Sequence, residues 1–188
     1  MEKPFQVNKK LNTETNDTET NDTETNETLT NFDNIDCSEV YNKIASEFKN
    51  SRSYEWKWVS DFITRVLLEK EAIEATEAKE ATEGVETNTK LRILDIGCGG
   101  GRNIKSYTND KIEMIGLDNS SEFIRLCRED NLPVIWGNMI DIPCEEMEFD
   151  HLLSVASFHH LSTLDARLKC LCEMNRILKM NGLVLMSV

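Results

Sequence analysis

Leu91-Arg92-Ile93-Leu94-Asp95-Ile96-Gly97-Cys98-Gly99-Gly100-Gly101 is the stretch on which the fold turns. Its first six residues are rich in branched apolar side chains and read as a short buried strand. Four glycines then crowd the passage into a helix predicted over 102–108. Glycines at such a junction permit a tight turn and let backbone N–H groups approach a ligand closely. Outward from this point strands and helices alternate. Strands are predicted at 113–117, 133–136, 150–156 and 183–188. A helix at 121–129 starts at Ser120 or Ser121, and a long one at 162–179 starts at Ser162, with Asp165 completing a capping-box-like pair. Leu164, Leu168, Leu171, Cys172 and Leu178 are expected on one face of that long helix. Asn181-Gly182 is expected to turn the chain into the fifth strand. Such alternation implies an α/β fold with right-handed crossovers and a mostly parallel sheet between helices.

Upstream of this core, Val40, Tyr41, Ile44, Ala45 and Phe48 fall at helical spacing behind Ser38, a capping residue. Trp56, Val59, Phe62, Ile63, Val66 and Leu67 mark a second helix from about Tyr54. It runs into a Glu/Ala-rich extension whose apolar content is mainly alanine and Ile73, with Gly84 as a stop. Residues 13–27 repeat the unit Thr-Glu-Thr-Asn-Asp/Glu three times without an apolar side chain. Such a stretch cannot offset its ordering entropy by burial, so residues 1–36 are expected to be a disordered acidic leader. The organisation expected is therefore this leader, then one domain over 37–188. That domain comprises helices at 37–68, an acidic helical insert at 69–90 and the core at 91–188.

The 188-residue chain is 39% hydrophobic and 29% charged, with a net charge of −13. The leader holds nine acids against three bases, and residues 69–90 hold seven against three. The rest of the chain carries only −3. A nucleic-acid substrate is thus not excluded, although no basic run argues for one. No apolar run reaches the roughly 20 residues that span a bilayer, and the first residues lack an apolar signal region. The six cysteines form no paired pattern and read as reduced thiols of a cytoplasmic protein.

Asp118 closes the second strand, 21 residues after Gly97. A carboxylate there can accept both hydroxyls of a ribose. A dinucleotide site requires G-x-G-x-x-G, and Arg102 stands where its last glycine belongs. An S-adenosylmethionine site requires an acid two residues before G-x-G-x-G. Asp95, Gly97, Gly99 and Gly101 meet that pattern, and Asp95 can face the ligand's ammonium. Gly137-Asn138-Met139 follows the third strand, where an amide oxygen on Asn138 can accept from an adenine amino group. Met139 would lie beside the ring or fill the core. His151 is expected to be structural. His159 and His160 follow the fourth strand's carboxyl end, where open α/β sheets place their chemistry. Either one contacts substrate or one packs on the next helix. No ligand set accompanies them, and Cys170 and Cys172 point to different helix faces, so no metal site is expected.

These motifs resemble those of class I S-adenosylmethionine-dependent methyltransferases, over about residues 91–188. Within them, the chain is most similar to the tRNA wobble 5-carboxymethyluridine methyltransferases. Three segments carry this likeness. Val40-Tyr41-Asn42-Lys43-Ile44-Ala45-Ser46-Glu47-Phe48 resembles the family's Val-Tyr-x-x-Ile-Ala-x-x-Phe helix. Ser51-Arg52 and Trp56 resemble its Thr-Arg-x-x-x-Trp-Pro element, with Lys57 in the proline's place. Ser154-Val155-Ala156-Ser157-Phe158-His159-His160-Leu161-Ser162-Thr163 resembles its Ser-Ile-Ala-x-x-His-His-Leu-Ser-Thr.

The resemblance implies a Rossmann-like methyltransferase three-layer sandwich, here truncated after the fifth strand, since the family continues with a substrate loop and two more strands. It implies S-adenosylmethionine held by Asp95, Gly97, Gly99, Gly101, Asp118, Asn138 and Met139. Methyl esterification of a carboxylate already ionised at neutral pH needs no general base. Arg52 and His159 or His160 are then the groups that hold that carboxylate. It also implies a tRNA substrate, a small zinc-binding activator subunit on the edge strand 133–136, no membrane, and a cytoplasmic or nuclear location. A methyltransferase of a small metabolite such as a quinone shares the Leu-His-His-Leu pattern. A non-catalytic module that binds cofactor and partner is the third reading.

Overall fold

The computed structural model describes residues 37–51, 55–80 and 89–187. The expected disordered leader at 1–36, the end of the second helix near Gly84, and Arg52 all lie outside the described residues. A five-stranded, all-parallel sheet runs in the order β3-β2-β1-β4-β5. Its strands are β1 (Leu91–Ile96), β2 (Ile112–Asp118), β3 (Val134–Trp136), β4 (Phe149–Val155) and β5 (Leu178–Ser187). The helices are α1 (Cys37–Ser51), α2 (Lys57–Glu80), α3 (Arg102–Tyr107), α4 (Ser121–Glu129) and α5 (Leu164–Ile177).

Strand β1 sits at the centre because both of its faces are apolar. Leu91 and Ile93 point to one side, where Val59, Ile63 and Val66 of α2 and Ile104 of α3 cover them. Leu94 and Ile96 point to the other, against Cys170, Met174 and Ile177 of α5. This is the two-sided burial of a parallel strand. Alternation on β4 splits in the same way, with Leu153 in the first layer and Leu152 in the second. A smaller cluster of Ala45, Phe123 and Leu126 fixes α1 on α4, with Tyr41 and Phe48 packed against it. The Asn42 carboxamide oxygen of α1 accepts from Ser120 Oγ at 2.7 Å and from the Glu122 amide at 3.1 Å. At the other end of α1, Lys49 joins Lys105 in pairing with Asp130, and the two ammonium groups hold that carboxyl down at about 2.

Three expectations need correction. The cap of α5 is Thr163, whose Oγ1 accepts from the Ala166 amide at 3.1 Å, and the helix starts one residue later than a Ser162 cap would place it. Its buried stripe is Cys170, Met174 and Ile177, while Leu164, Leu168, Leu171 and Cys172 are exposed. The face of the helix that meets the sheet packs on Leu94 and Ile96 of β1 and on Phe149 and Leu152 of β4, and the leucines lie on the other face. Strand β5 starts at Leu178, ahead of Asn181-Gly182, which forms an irregularity within the strand. There Asn181 adopts φ 64°, and the ladder passes from Phe149–Leu178 to His151–Leu183. His151 serves this irregularity, since its Nδ1 accepts from the Leu183 amide at 3.1 Å.

Candidate active site

The strand order reverses at β1, whose neighbours are β2 on one side and β4 on the other. An open parallel sheet leaves a crevice at the carboxyl ends of strands where its order switches. Here that crevice is a cleft of about 260 Å³. Its floor is the glycine loop. The amides of Gly97 and Cys98 donate to Leu117 O at 2.7 and 3.0 Å, locking the loop onto the end of β2. Gly97, Gly99 and Gly101 all take positive φ. The Asp118 carboxylate spans the next turn, with Oδ2 accepting from the Gly99 amide at 2.8 Å and Oδ1 from the Ser120 amide at 2.9 Å. Ser120 Oγ in turn caps α4 through the Phe123 amide.

The residues expected from sequence divide as follows. Asp95, Gly97, Gly99, Asp118, Asn138, Met139 and His160 line the cleft. Gly101 does not: it caps α3, and a Cβ there would stand 2.4 Å from Leu132 Cδ1, so close packing requires the glycine. His159 is exposed and outside the lining, its ring 4.3 Å from that of His160. Asn138 closes a small turn, its side-chain oxygen accepting from the Ile140 amide at 3.2 Å. That oxygen has a second lone pair for a ligand amino group.

Spacing pointed to neither Asn103 nor Ser157. Asn103 is buried and donates from Nδ2 to Asp95 Oδ2 at 3.0 Å. Ser157 donates from Oγ to Ile96 O at 2.8 Å, tying the segment after β4 to the end of β1. Tyr41, read as an apolar helix residue, lines the cleft and bonds His160. The Arg102 guanidinium lies over the Trp56 ring at 4.9 Å beside the same cleft, a contact that no pattern in the sequence signals. Among the described residues, no group of three His, Cys, Asp or Glu could hold a metal ion.

Electrostatics single out Asp95. Burial pushes its carboxyl up to about 7, and the neighbouring Asp118 adds to this, against the Asn103 hydrogen bond and the Arg102 charge. Burial raises Asp118 as well, opposed by the amides of Ser120, Gly99 and Asn119. Two buried acids beside a glycine cradle suit a ligand with a ribose and an ammonium. A Cβ on Gly99 would meet no protein atom closer than the Phe123 ring at 3.9 Å, so that side of the loop is open to a ligand. An ammonium beside Asp95 favours its ionised form. Affinity for S-adenosylhomocysteine should therefore be highest above about pH 7 and fall by up to about tenfold per unit below it. Calorimetric titration between about pH 5 and 7.5 checks this, and a flat profile would count against Asp95 as the ammonium partner. In the ligand-free protein the same raised pKa acts on stability. The cost of the buried charge is fully present above pH 7 and fades as pH falls towards the ordinary carboxylate range.

Residues 94–186 match a family model described as a methyltransferase domain. Over 150 residues the chain is 28% identical to the Mus musculus protein named tRNA (carboxymethyluridine(34)-5-O)-methyltransferase ALKBH8, covering 80% of this chain and 19% of that one. An Arabidopsis thaliana tRNA (carboxymethyluridine(34)-5-O)-methyltransferase is 30% identical over 149 residues, 79% of this chain and 31% of that one. The Schizosaccharomyces pombe protein of the same name is 29% identical over 158 residues, 84% of this chain and 58% of that one. The chain thus spans between about a fifth and three fifths of the length of these curated relatives.

Proposed function

Since residues 94–186 belong to the methyltransferase-domain family, we propose that this chain is an S-adenosylmethionine-dependent enzyme that methyl-esterifies a 5-carboxymethyluridine at the tRNA wobble position. The observation that carries the cofactor is the buried pair Asp95 and Asp118 flanking an open glycine cradle. The relatives' names supply the substrate class.

When bound, the cofactor supplies a methyl group on a sulfonium. Asp118 accepts from the ribose hydroxyls, Asp95 pairs with the ammonium, and Asn138 accepts from the adenine amino group. The substrate carboxylate is ionised at neutral pH, so the chain has no proton to remove before the transfer. Its residues act instead by alignment and by exclusion of water. Helix α1 serves that exclusion by placing Tyr41 and Phe48 along the cleft beside Phe123. His160 holds the carboxylate, and Arg52 is its second holder, able to pair bidentately.

The zinc-binding activator fits the outer edge of β3, which among the described residues bonds only β2 within the sheet. Trp136 there is 61% exposed, an apolar edge that favours strand addition. Among the described residues no helix is long and apolar enough to cross a membrane. A tRNA substrate goes with a cytoplasmic or nuclear location.

The test uses tRNA bearing 5-carboxymethyluridine, methyl-labelled cofactor, and the chain with and without the activator. A base-labile label on the wobble nucleoside is expected, greater with the activator present. Label on a small quinone and none on tRNA would replace this reading with the metabolite one. Cofactor binding without label on either would leave the non-catalytic module.

A further inference from the structure

Tyr41 on α1 and His160 in the 3₁₀ turn Phe158–His160 lie 119 positions apart and meet in the lining of the cleft. Tyr41 Oη stands 2.8 Å from His160 Nε2, with the rings edge-on at 5.3 Å. The tyrosine ring is clamped from its other sides by Phe48 at 5.7 Å and Phe123 at 5.9 Å. The turn that carries His160 is also fixed, because its backbone amide donates to Ser157 O at 3.0 Å. Burial pushes the imidazole below its ordinary value, and a charge on the neighbouring His159 would push it the same way. The ring is therefore neutral at physiological pH and carries one proton, on one of its two nitrogens.

Which nitrogen carries it follows from the partner. A phenol is a better donor than acceptor, and an unprotonated ring nitrogen is a good acceptor. We infer that Tyr41 is a positioning residue, whose hydroxyl donates to His160 Nε2 and fixes the ring as the Nδ1–H tautomer, a neutral donor for the substrate carboxylate. This rests on the proposed esterification. It also gives that reaction a reason for a neutral histidine. An imidazolium would hold the carboxylate in a charge-assisted pair and draw electron density from the attacking oxygen. A neutral N–H orients the oxygen while leaving it nucleophilic. The tyrosine does this without touching the carboxylate itself.

Nitrogen-15 NMR of the labelled full chain reads the tautomer directly and needs no substrate. His160 is assigned by the signals lost in His160→Asn. In the wild type the proton is expected on Nδ1. In Tyr41→Phe, which keeps the ring contacts with Phe48 and Phe123, it is expected to move mainly to Nε2. The same variant should lose roughly tenfold in kcat, the scale of one misplaced hydrogen-bond donor, with cofactor affinity unchanged. In the His160→Asn background, where an amide N–H replaces the ring donor, adding Tyr41→Phe should change nothing further. Fluorotyrosine at position 41, a stronger donor of the same shape, gives an arm that does not depend on the phenylalanine variant folding. It should shift the Nε2 resonance while keeping the Nδ1–H tautomer.

A wild-type His160 found charged or protonated at Nε2 overturns the inference. So does a tautomer that ignores Tyr41→Phe, or one that moves while kcat stays unchanged. A wild-type chain inactive on tRNA sinks the functional reading alone, and the NMR arm still decides the Tyr41–His160 assignment.

Discussion

Asp118→Ala should weaken S-adenosylmethionine binding by about thirty- to a thousandfold, roughly 2–4 kcal/mol. The carboxylate does three things at once. It is the acceptor available to a ribose, it holds the Gly99 amide, and it holds the Ser120 amide at the start of α4. Removing it deletes the ligand's partner and frees the cradle that shapes the ligand's surroundings. The folded protein should suffer far less than the complex. Burial already raises this carboxyl, so losing the buried charge offsets part of the lost hydrogen bonding. A large fall in affinity beside a melting temperature near wild type is the expected pattern. Asp118→Asn, which keeps one acceptor oxygen, should fall between.

A second readout follows from charge. Asp118 is one cause of the raised Asp95 value, so the pH inflection of ligand affinity should move down in Asp118→Ala. Equal affinities for wild type and Asp118→Ala by calorimetry would remove this residue from the site.

The strands and the glycine loop were legible because their signals are local. A buried parallel strand shows as a short apolar run, and Leu91–Ile96 needed no partner to be read. Asp95, Gly97, Gly99 and Asp118 sit at fixed offsets from such strand ends, so their place in the cleft followed from spacing. Helix α5 shows where this stops. Leu164, Leu168 and Leu171 form one apolar stripe, and Cys170, Met174 and Ile177 form another. Only packing against β1 and β4 selects the second, and the bulkier leucines mislead a count of hydrophobic residues. Gly101 matched a binding pattern, yet its position is dictated by Leu132 and Cys127. The partners Asn103 to Asp95, Ser157 to Ile96 and Tyr41 to His160 join elements that no single-sequence periodicity relates. The shape and protonation of the site depend on these contacts, and they exist only once the sheet is assembled.

The same dependence makes Gly97 a sensitive backbone position of the loop. Gly97→Ala should cost about 3 kcal/mol of folding stability, from two separate terms. The residue adopts φ 76°, which an L side chain occupies at a cost of roughly 1–2 kcal/mol. The added Cβ would also stand 2.4 Å from the Ser157 Cβ. Ser157 has little room to yield, since it is 5% exposed and its hydroxyl is shared between Ile96 O and Ser154 Oγ. Gly99→Ala supplies the contrast. It meets the φ term at 52°, but its Cβ faces the open side of the loop. It should lose only about 1 kcal/mol of stability while still obstructing the ligand. Urea unfolding of both variants, with and without S-adenosylhomocysteine, separates the effects. Ser157→Gly in the Gly97→Ala background should recover part of the steric loss and none of the φ term. Were Gly97→Ala as stable as Gly99→Ala, β1 and β4 would not be in contact through this pair, and the cleft between them would need to be redrawn.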